Sequence, residues 1–134
     1  MNVTALDHVA LRIPADGLEA ALDFYRDRLG LATENVDRYR RGELDVFSVR
    51  LTDTALVHFQ PIETFERPTD NAYDHLALVV DEPTAALREG LADAEITVEA
   101  EADRLGATGV APAFYVRDPF GYRLELKATA PGES

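Results

Sequence analysis

A chain of 134 residues with a 46% hydrophobic fraction fits one folded domain that buries about two-thirds of its unfolded surface. The absence of cysteine excludes disulfides, zinc–thiolate clusters and a thiol nucleophile. A formal charge of −12 excludes a nucleic-acid partner, which needs a basic stripe to displace counterions from phosphates.

The N-terminus Met1-Asn2-Val3-Thr4-Ala5 has no basic region followed by an apolar run. No stretch approaches the roughly 18 to 20 apolar residues of a membrane span. The expectation is a soluble, cytoplasmic protein with no membrane partner. Of the 13 basic residues all but Lys127 are arginine, an imbalance that suggests a surface adapted to acidic solvation in high salt. Stability is therefore expected to rise with potassium chloride well beyond the concentration at which screening saturates. A melting temperature that is highest in dilute buffer contradicts this.

Leu6 to Ile13 reads as a strand with Val9, Leu11 and Ile13 on one face and Leu6, His8, Ala10 and Arg12 on the other. Pro14-Ala15-Asp16-Gly17 breaks it, and Asp16 is the expected N-cap of a helix carrying Leu18, Ala21, Leu22, Tyr25 and Leu29, ended by Gly30. Leu31 to about Tyr39 is expected as a poorly alternating strand. Arg38-Tyr39-Arg40-Arg41-Gly42-Glu43 follows as a polar turn whose basic residues suit an anionic ligand or simple solvation. Phe47, Val49 and Leu51 alternate with Ser48 and Arg50. Thr52-Asp53-Thr54 then turns the chain into a last strand, Ala55 to Gln60, with Leu56, His58 and Gln60 on the face opposite Ala55, Val57 and Phe59. The half reads β-α-β-β-β.

Residues 61 to 73, with two prolines and no sustained period, read as a linker. Then the chain restarts. Asp74-His75-Leu76-Ala77-Leu78-Val79-Val80 repeats Asp7-His8-Val9-Ala10-Leu11-Arg12-Ile13 at a spacing of 67 residues, and the same spacing carries His58 onto Glu125. Asp81 is the expected N-cap of a second helix with Pro83 in its first turn and Ala86, Leu87 and Leu91 on one side. Ile96 to about Ala102 reads as a strand, Gly106-Ala107-Thr108-Gly109 as a flexible loop and Phe114-Tyr115-Val116 as another strand. Asp118-Pro119-Phe120-Gly121 is a tight turn into Tyr122 to Lys127. Ala128 to Ser134 is a small-residue tail expected to fray.

With both halves laid out, the chain resembles the vicinal oxygen chelate superfamily of glyoxalase I, extradiol dioxygenases and bleomycin resistance proteins, most like the glyoxalase I-like branch. Four runs carry the resemblance: Asp7-His8-Val9-Ala10-Leu11, Phe24-Tyr25-Arg26-Asp27-Arg28-Leu29-Gly30-Leu31, Asp74-His75-Leu76-Ala77-Leu78, and Tyr115-Val116-Arg117-Asp118-Pro119-Phe120-Gly121-Tyr122-Arg123-Leu124-Glu125-Leu126. The resemblance implies an α+β fold. Two tandem β-α-β-β-β modules, residues 1–60 and 74–128, would form one domain, an open, curled mixed sheet around a metal cleft, with the tail at 129–134. It implies metal ligands from the first and last strand of each module, which are His8, His58, His75 and Glu125 here. His58 stands where glyoxalase I usually has glutamate.

The cofactor so implied is one divalent ion, zinc, nickel, cobalt, manganese or Fe(II), in a site of three imidazoles and a carboxylate. The implied activity is that of a lyase or isomerase acting through an enediolate on a small vicinal-oxygen substrate such as a hemithioacetal, with Glu125 and His58 as catalytic residues. The alternatives are an extradiol ring-cleaving dioxygenase using His8, His75 and Glu125, and a small-molecule binding protein of the drug-sequestering type. Relatives commonly pair their modules, so a homodimer is expected. Gln60 is the fallback ligand, and Asp7 and Asp74 are read as strand-start residues facing away from the histidines. Phe47, Phe59, Phe114 and Tyr115 are candidates for lining a pocket or for plain core.

Overall fold

A computed structural model describes residues 1–69 and 71–129 and divides the chain into two compact units, Met1–Glu66 and Arg67–Ser134. In the first unit, β1 (His8–Pro14) leads into α1, a turn of α-helix over Leu18–Ala21 that widens into a π-helical stretch over Leu22–Arg28. The short β2 (Thr33–Glu34), the helix α2 (Val36–Arg40), β3 (Phe47–Thr52) and β4 (Ala55–Ile62) follow. The sheet runs β1-β4-β3-β2, with β1 parallel to β4 and the other pairs antiparallel. In the second unit β5 (Leu76–Val79), α3 (Thr84–Asp93), β6 (Ala100–Gly106), β7 (Gly109–Arg117) and β8 (Arg123–Lys127) build a sheet of the same plan, β5-β8-β7-β6. Both sheets are mixed and neither closes, as the α+β expectation required.

The alternation read from the sequence decides which face is packed. Leu11 and Ile13 of β1, Phe47 and Val49 of β3 and Val57 and Phe59 of β4 are buried on one face with Leu22 and Tyr25 of the helix. Phe47 and Phe59 are register partners with rings 5.4 Å apart, and Tyr25 stacks 4.9 Å from Phe59. In the second unit Phe114, Val116, Leu124 and Leu126 are buried, as are Leu87, Leu91 and Ile96. The three phenylalanines at 47, 59 and 114 are therefore core. The opposite face of each sheet is left for polar side chains.

Several boundaries differ from expectation for identifiable reasons. The helix α1 is capped by the backbone at Gly17 and not by the side chain of Asp16, and α3 starts after Pro83, not at Asp81. The expected strand from Leu31 to Tyr39 shrinks to two residues. Asn35 takes a left-handed conformation (φ 67°), which asparagine tolerates, and turns the chain into α2. Residues 96–99 stay outside the sheet ladder apart from the Glu99 N–H, which donates to the Tyr115 carbonyl, and β6 begins at Ala100. The run from Gly106 to Gly109 is a tight hairpin tip, with the two glycines paired across it and Gly109 at φ 90°. The Arg38, Arg40 and Arg41 cluster lines an open hollow, but its cations are matched by Glu43 and Glu19. The start of the tail is tied down, since the Ala128 N–H donates to Pro112 and the Thr129 N–H to Glu82. The rest of the expected frayed tail, 130–134, lies outside the described residues, as does Asp70 of the linker.

The Asp118 turn takes the form its residues demand. Asp118 is buried, its Oδ1 accepts from the backbone N–H groups of Phe120 and Tyr122 at 2.9 Å each, and Gly121 supplies φ 96°. This turn sets the register of β7 on β8, and that register places Glu125.

Candidate functional site

In the first unit the β1–β4 register sets Ala10 opposite His58, which leaves His8 one alternation away on the same face. The two imidazole rings lie 4.5 Å apart. Each is held through Nδ1: Asp7 Oδ2 is 2.7 Å from Nδ1 of His8, and Ser48 Oγ is 2.5 Å from Nδ1 of His58. Ser48 faces His58 across the β3–β4 ladder and is fully buried. Fixing Nδ1 leaves Nε2 as the free nitrogen of each ring, which is how outer hydrogen bonds orient metal-ligating histidines.

The second unit repeats the construction. Ala77 is opposite Glu125 in the β5–β8 register, and His75 stands one alternation away on that face. Its Nδ1 is 2.5 Å from Asp74 Oδ1 and its Nε2 is 3.5 Å from Glu125 Oε1. Tyr115, register partner of Glu125, donates its hydroxyl to Oε1 at 2.5 Å. Arg104 Nε donates to the same phenol oxygen at 3.0 Å, and the Arg123 guanidinium covers the Tyr115 ring at 4.0 Å. Tyr115 follows Ser48 by the same 67 residues, so the repeat carries the outer hydrogen bonds as well as the inner residues.

Charge follows from these contacts. The hydrogen bond to Glu125 and burial push the Tyr115 phenol above its ordinary pKa, which keeps it a donor. The hydrogen bonds from His8 and His75 hold the carboxyls of Asp7 and Asp74 below the usual aspartate range. Both aspartates are exposed, at 90% and 78%, so these pairs orient the rings more than they stabilise the fold.

His8 with His58, and His75 with Glu125, are thus brought together as two pairs. Gln60, the fallback ligand, lies further along β4, opposite Arg12. Among the described residues no three His, Asp or Glu side chains gather closely enough to hold a metal ion. The donor types nevertheless fit a borderline divalent ion: imidazoles already fixed through Nδ1, and a buried carboxylate with one oxygen engaged. The sequence turned Asp7 and Asp74 away from the histidines, but each is hydrogen-bonded to its neighbouring ring; Tyr115 was only a pocket or core candidate, and Ser48 was passed over. The twice-used Asp-His pair and the Ser48-to-Tyr115 spacing were the signals present for them.

A family model for the Glyoxalase/Bleomycin resistance protein/Dioxygenase superfamily matches residues 5–126. The chain belongs to this superfamily. Solved structures of the same fold include an integron cassette protein from the mobile metagenome of V. cholerae, 21% identical with a TM-score of 0.73, covering 97% of this chain and 98% of that one. A glyoxalase/dioxygenase from Nostoc punctiforme is 19% identical with a TM-score of 0.73, covering 95% and 92%. A lactoylglutathione lyase from Agrobacterium tumefaciens is 19% identical with a TM-score of 0.65, covering all of both chains. No curated protein matches the sequence. Membership accounts for the doubled module. The superfamily spans enzymes and non-enzymatic members, so membership alone does not assign a reaction to the two residue pairs.

Proposed function

We propose that this chain is a metal-dependent lyase or isomerase of glyoxalase type, with His8, His58, His75 and Glu125 as ligands of one divalent ion and a small vicinal-oxygen substrate such as a hemithioacetal. The observation that carries the reading is the second-unit arrangement of Glu125. Its Oε1 is held by the Tyr115 hydroxyl at 2.5 Å and stands 3.5 Å from His75 Nε2. A divalent ion, when bound, would polarise two neighbouring substrate oxygens and so acidify the adjacent C–H bond.

The chain's own residues do the rest. Glu125 is 4% exposed and so meets substrate with little competing water. Glu125 would be ligand and proton carrier in turn: Tyr115 engages Oε1, which leaves Oε2 as the oxygen that, when not bound to the ion, would accept the proton and return it to the neighbouring carbon. Asp7, Asp74 and Ser48 keep the three imidazoles presenting Nε2.

The test is hemithioacetal isomerisation with several thiols, run beside oxygen uptake with catechols on anaerobically Fe(II)-loaded protein. Isomerisation supports the proposal. Catechol cleavage without isomerisation transfers the assignment to an extradiol dioxygenase, and inactivity in both moves it to a binding protein or to a substrate outside these two assays. We further propose a homodimer, because open sheets leave edges to cover. A monomeric mass by light scattering at working salt contradicts this.

A further inference from the structure

Arg123 stands where strand chemistry disfavours an arginine twice over. In the β7–β8 register it lies directly opposite Arg117, a like-charge pair on one face of the sheet. Its Nε is buried and finds no hydrogen-bond partner among the described residues, a further cost for a charged group. Glu99 relieves neither. Both of its oxygens are bonded to Arg117 Nε, at 3.1 and 3.2 Å, and Arg123 Nε stays 4.0 Å from Oε1.

The guanidinium lies instead on the supports of the site. It sits 4.0 Å from the centre of the Tyr115 ring, close enough to be attracted by the ring face. That ring carries the hydroxyl bonded to Glu125 Oε1 and meets His75 edge-on at 5.6 Å. Arg123 Nη1 is 3.6 Å from Asp74 Oδ1, the same oxygen that holds His75 Nδ1. The Arg123 carbonyl accepts from the Tyr73 hydroxyl at 2.9 Å, which ties down the chain just before Asp74. Sixty-seven residues earlier the first unit has Leu56 in place of Arg123 and Ser48 in place of Tyr115. The cation and the ring it covers therefore enter together, in the unit that carries the carboxylate.

We infer that Arg123 is a positioning residue of this site, which fixes Glu125 through the Tyr115 ring and His75 through Asp74. A cation over the face of a phenol draws electron density from it and makes the hydroxyl a stronger donor, here toward Glu125 Oε1. The same side chain restrains the Asp74 carboxylate, so one cation holds both members of the pair before any ion or substrate arrives. The reaction that the pair serves rests on the proposed function; the positioning itself does not.

The test compares the full chain with Arg123→Met, which keeps the apolar stem, and Arg123→Lys, which keeps the charge. In metal-free, isotope-labelled protein, NMR reads the ring nitrogens of His75 and the side-chain carboxyl carbon of Glu125, with His8 and His58 as internal controls. The expected result in Arg123→Met is a shift of the His75 and Glu125 signals with His8 and His58 unmoved, and a melting temperature close to that of the natural protein, since a like-charge pair and an unsatisfied N–H are lost along with the contacts. Arg123→Lys is expected to restore part of both shifts. In the metal-loaded protein Arg123→Met is expected to lower kcat about tenfold with KM little changed. Unmoved His75 and Glu125 signals in Arg123→Met overturn the inference, as does a lysine variant indistinguishable from the methionine one. Shifts in all three histidines with a lowered melting temperature also overturn it, because they mark a purely structural residue. Should Arg123→Met fail to fold, Arg123→Lys decides alone: shifts confined to His75 and Glu125 support the positioning role, and their absence overturns it. The expected shifts in a protein whose natural form isomerises no hemithioacetal keep the positioning role and remove the reaction, so the two assignments fail separately.

Discussion

Protein carrying both His8→Ala and His75→Ala is expected to purify with almost no divalent metal, each substitution alone lowering metal affinity by about a hundredfold or more. The expectation follows from where these side chains stand. His8 is 45% and His75 32% exposed at the side chain, and both lie on the faces opposite the packed Leu11, Ile13 and Phe59 or Leu124 and Leu126. Removing them leaves no cavity, so the fold should lose no more than about 0.5 kcal/mol, the usual range for surface positions. Metal loss at unchanged circular dichroism and melting temperature of the metal-free protein therefore reports ligation and not unfolding. Asp7→Asn and Asp74→Asn should have smaller effects, because the carboxylates they replace orient an imidazole without touching the ion. Stoichiometric metal by elemental analysis in the double variant would remove His8 and His75 from the ligand set.

What made these two histidines legible was repetition, not residue type. A lone histidine in a strand says little, but His8 and His75 recur at one spacing, and the same spacing joins His58 to Glu125. Alternation then assigned faces correctly, because β1, β3 and β4 each pack one side only and the period of two is fixed by the pleat. The parallel β1–β4 and β5–β8 pairings, which set each histidine diagonal to its partner, are long-range and left no mark in either strand's own sequence.

Other features were hidden for different physical reasons. Ser48 read as an ordinary strand residue and Tyr115 as a pocket or core aromatic, and only cross-strand register turns their hydroxyls into hydrogen-bond partners of His58 and Glu125. The segment from Thr33 to Arg40 holds residues compatible with strand or helix, and Asn35 at positive φ decides for a helical turn. The π-helical widening over Leu22–Arg28 buries Phe24 beside Leu22 and Tyr25, a position that the α-helical spacing of Leu18, Ala21, Leu22, Tyr25 and Leu29 leaves out. Lys127 was placed on the right strand, but its burial comes from the hairpin tip at Gly106 and Gly109, a region the sequence presented as a loose loop.

Glu125→Gln is expected to lower isomerase turnover by about 10² to 10⁴ while the protein retains appreciable metal. Glutamine keeps the shape of the side chain and a carbonyl oxygen able to accept the Tyr115 hydroxyl that now lies 2.5 Å from Oε1. The buried position is thereby filled and its hydrogen bond kept, so packing around Leu124 and Leu126 should not change. What the amide lacks is the basic oxygen that takes and returns a proton. A loss in kcat with metal occupancy largely kept would therefore assign Glu125 the proton-carrying role. His58→Ala should show the opposite balance. It removes an imidazole held by the buried Ser48 hydroxyl, and with it a metal donor, so occupancy falls first and turnover falls in proportion to the metal lost. Tyr115→Phe separates support from chemistry. Without its donor the Glu125 carboxylate is free to reorient, and kcat should fall less than in Glu125→Gln, with metal affinity little changed. Full turnover in Glu125→Gln would exclude that carboxylate as the proton carrier and leave His58 as the remaining base of the proposed site. Equal losses of metal in Glu125→Gln and His58→Ala would make Glu125 a ligand alone.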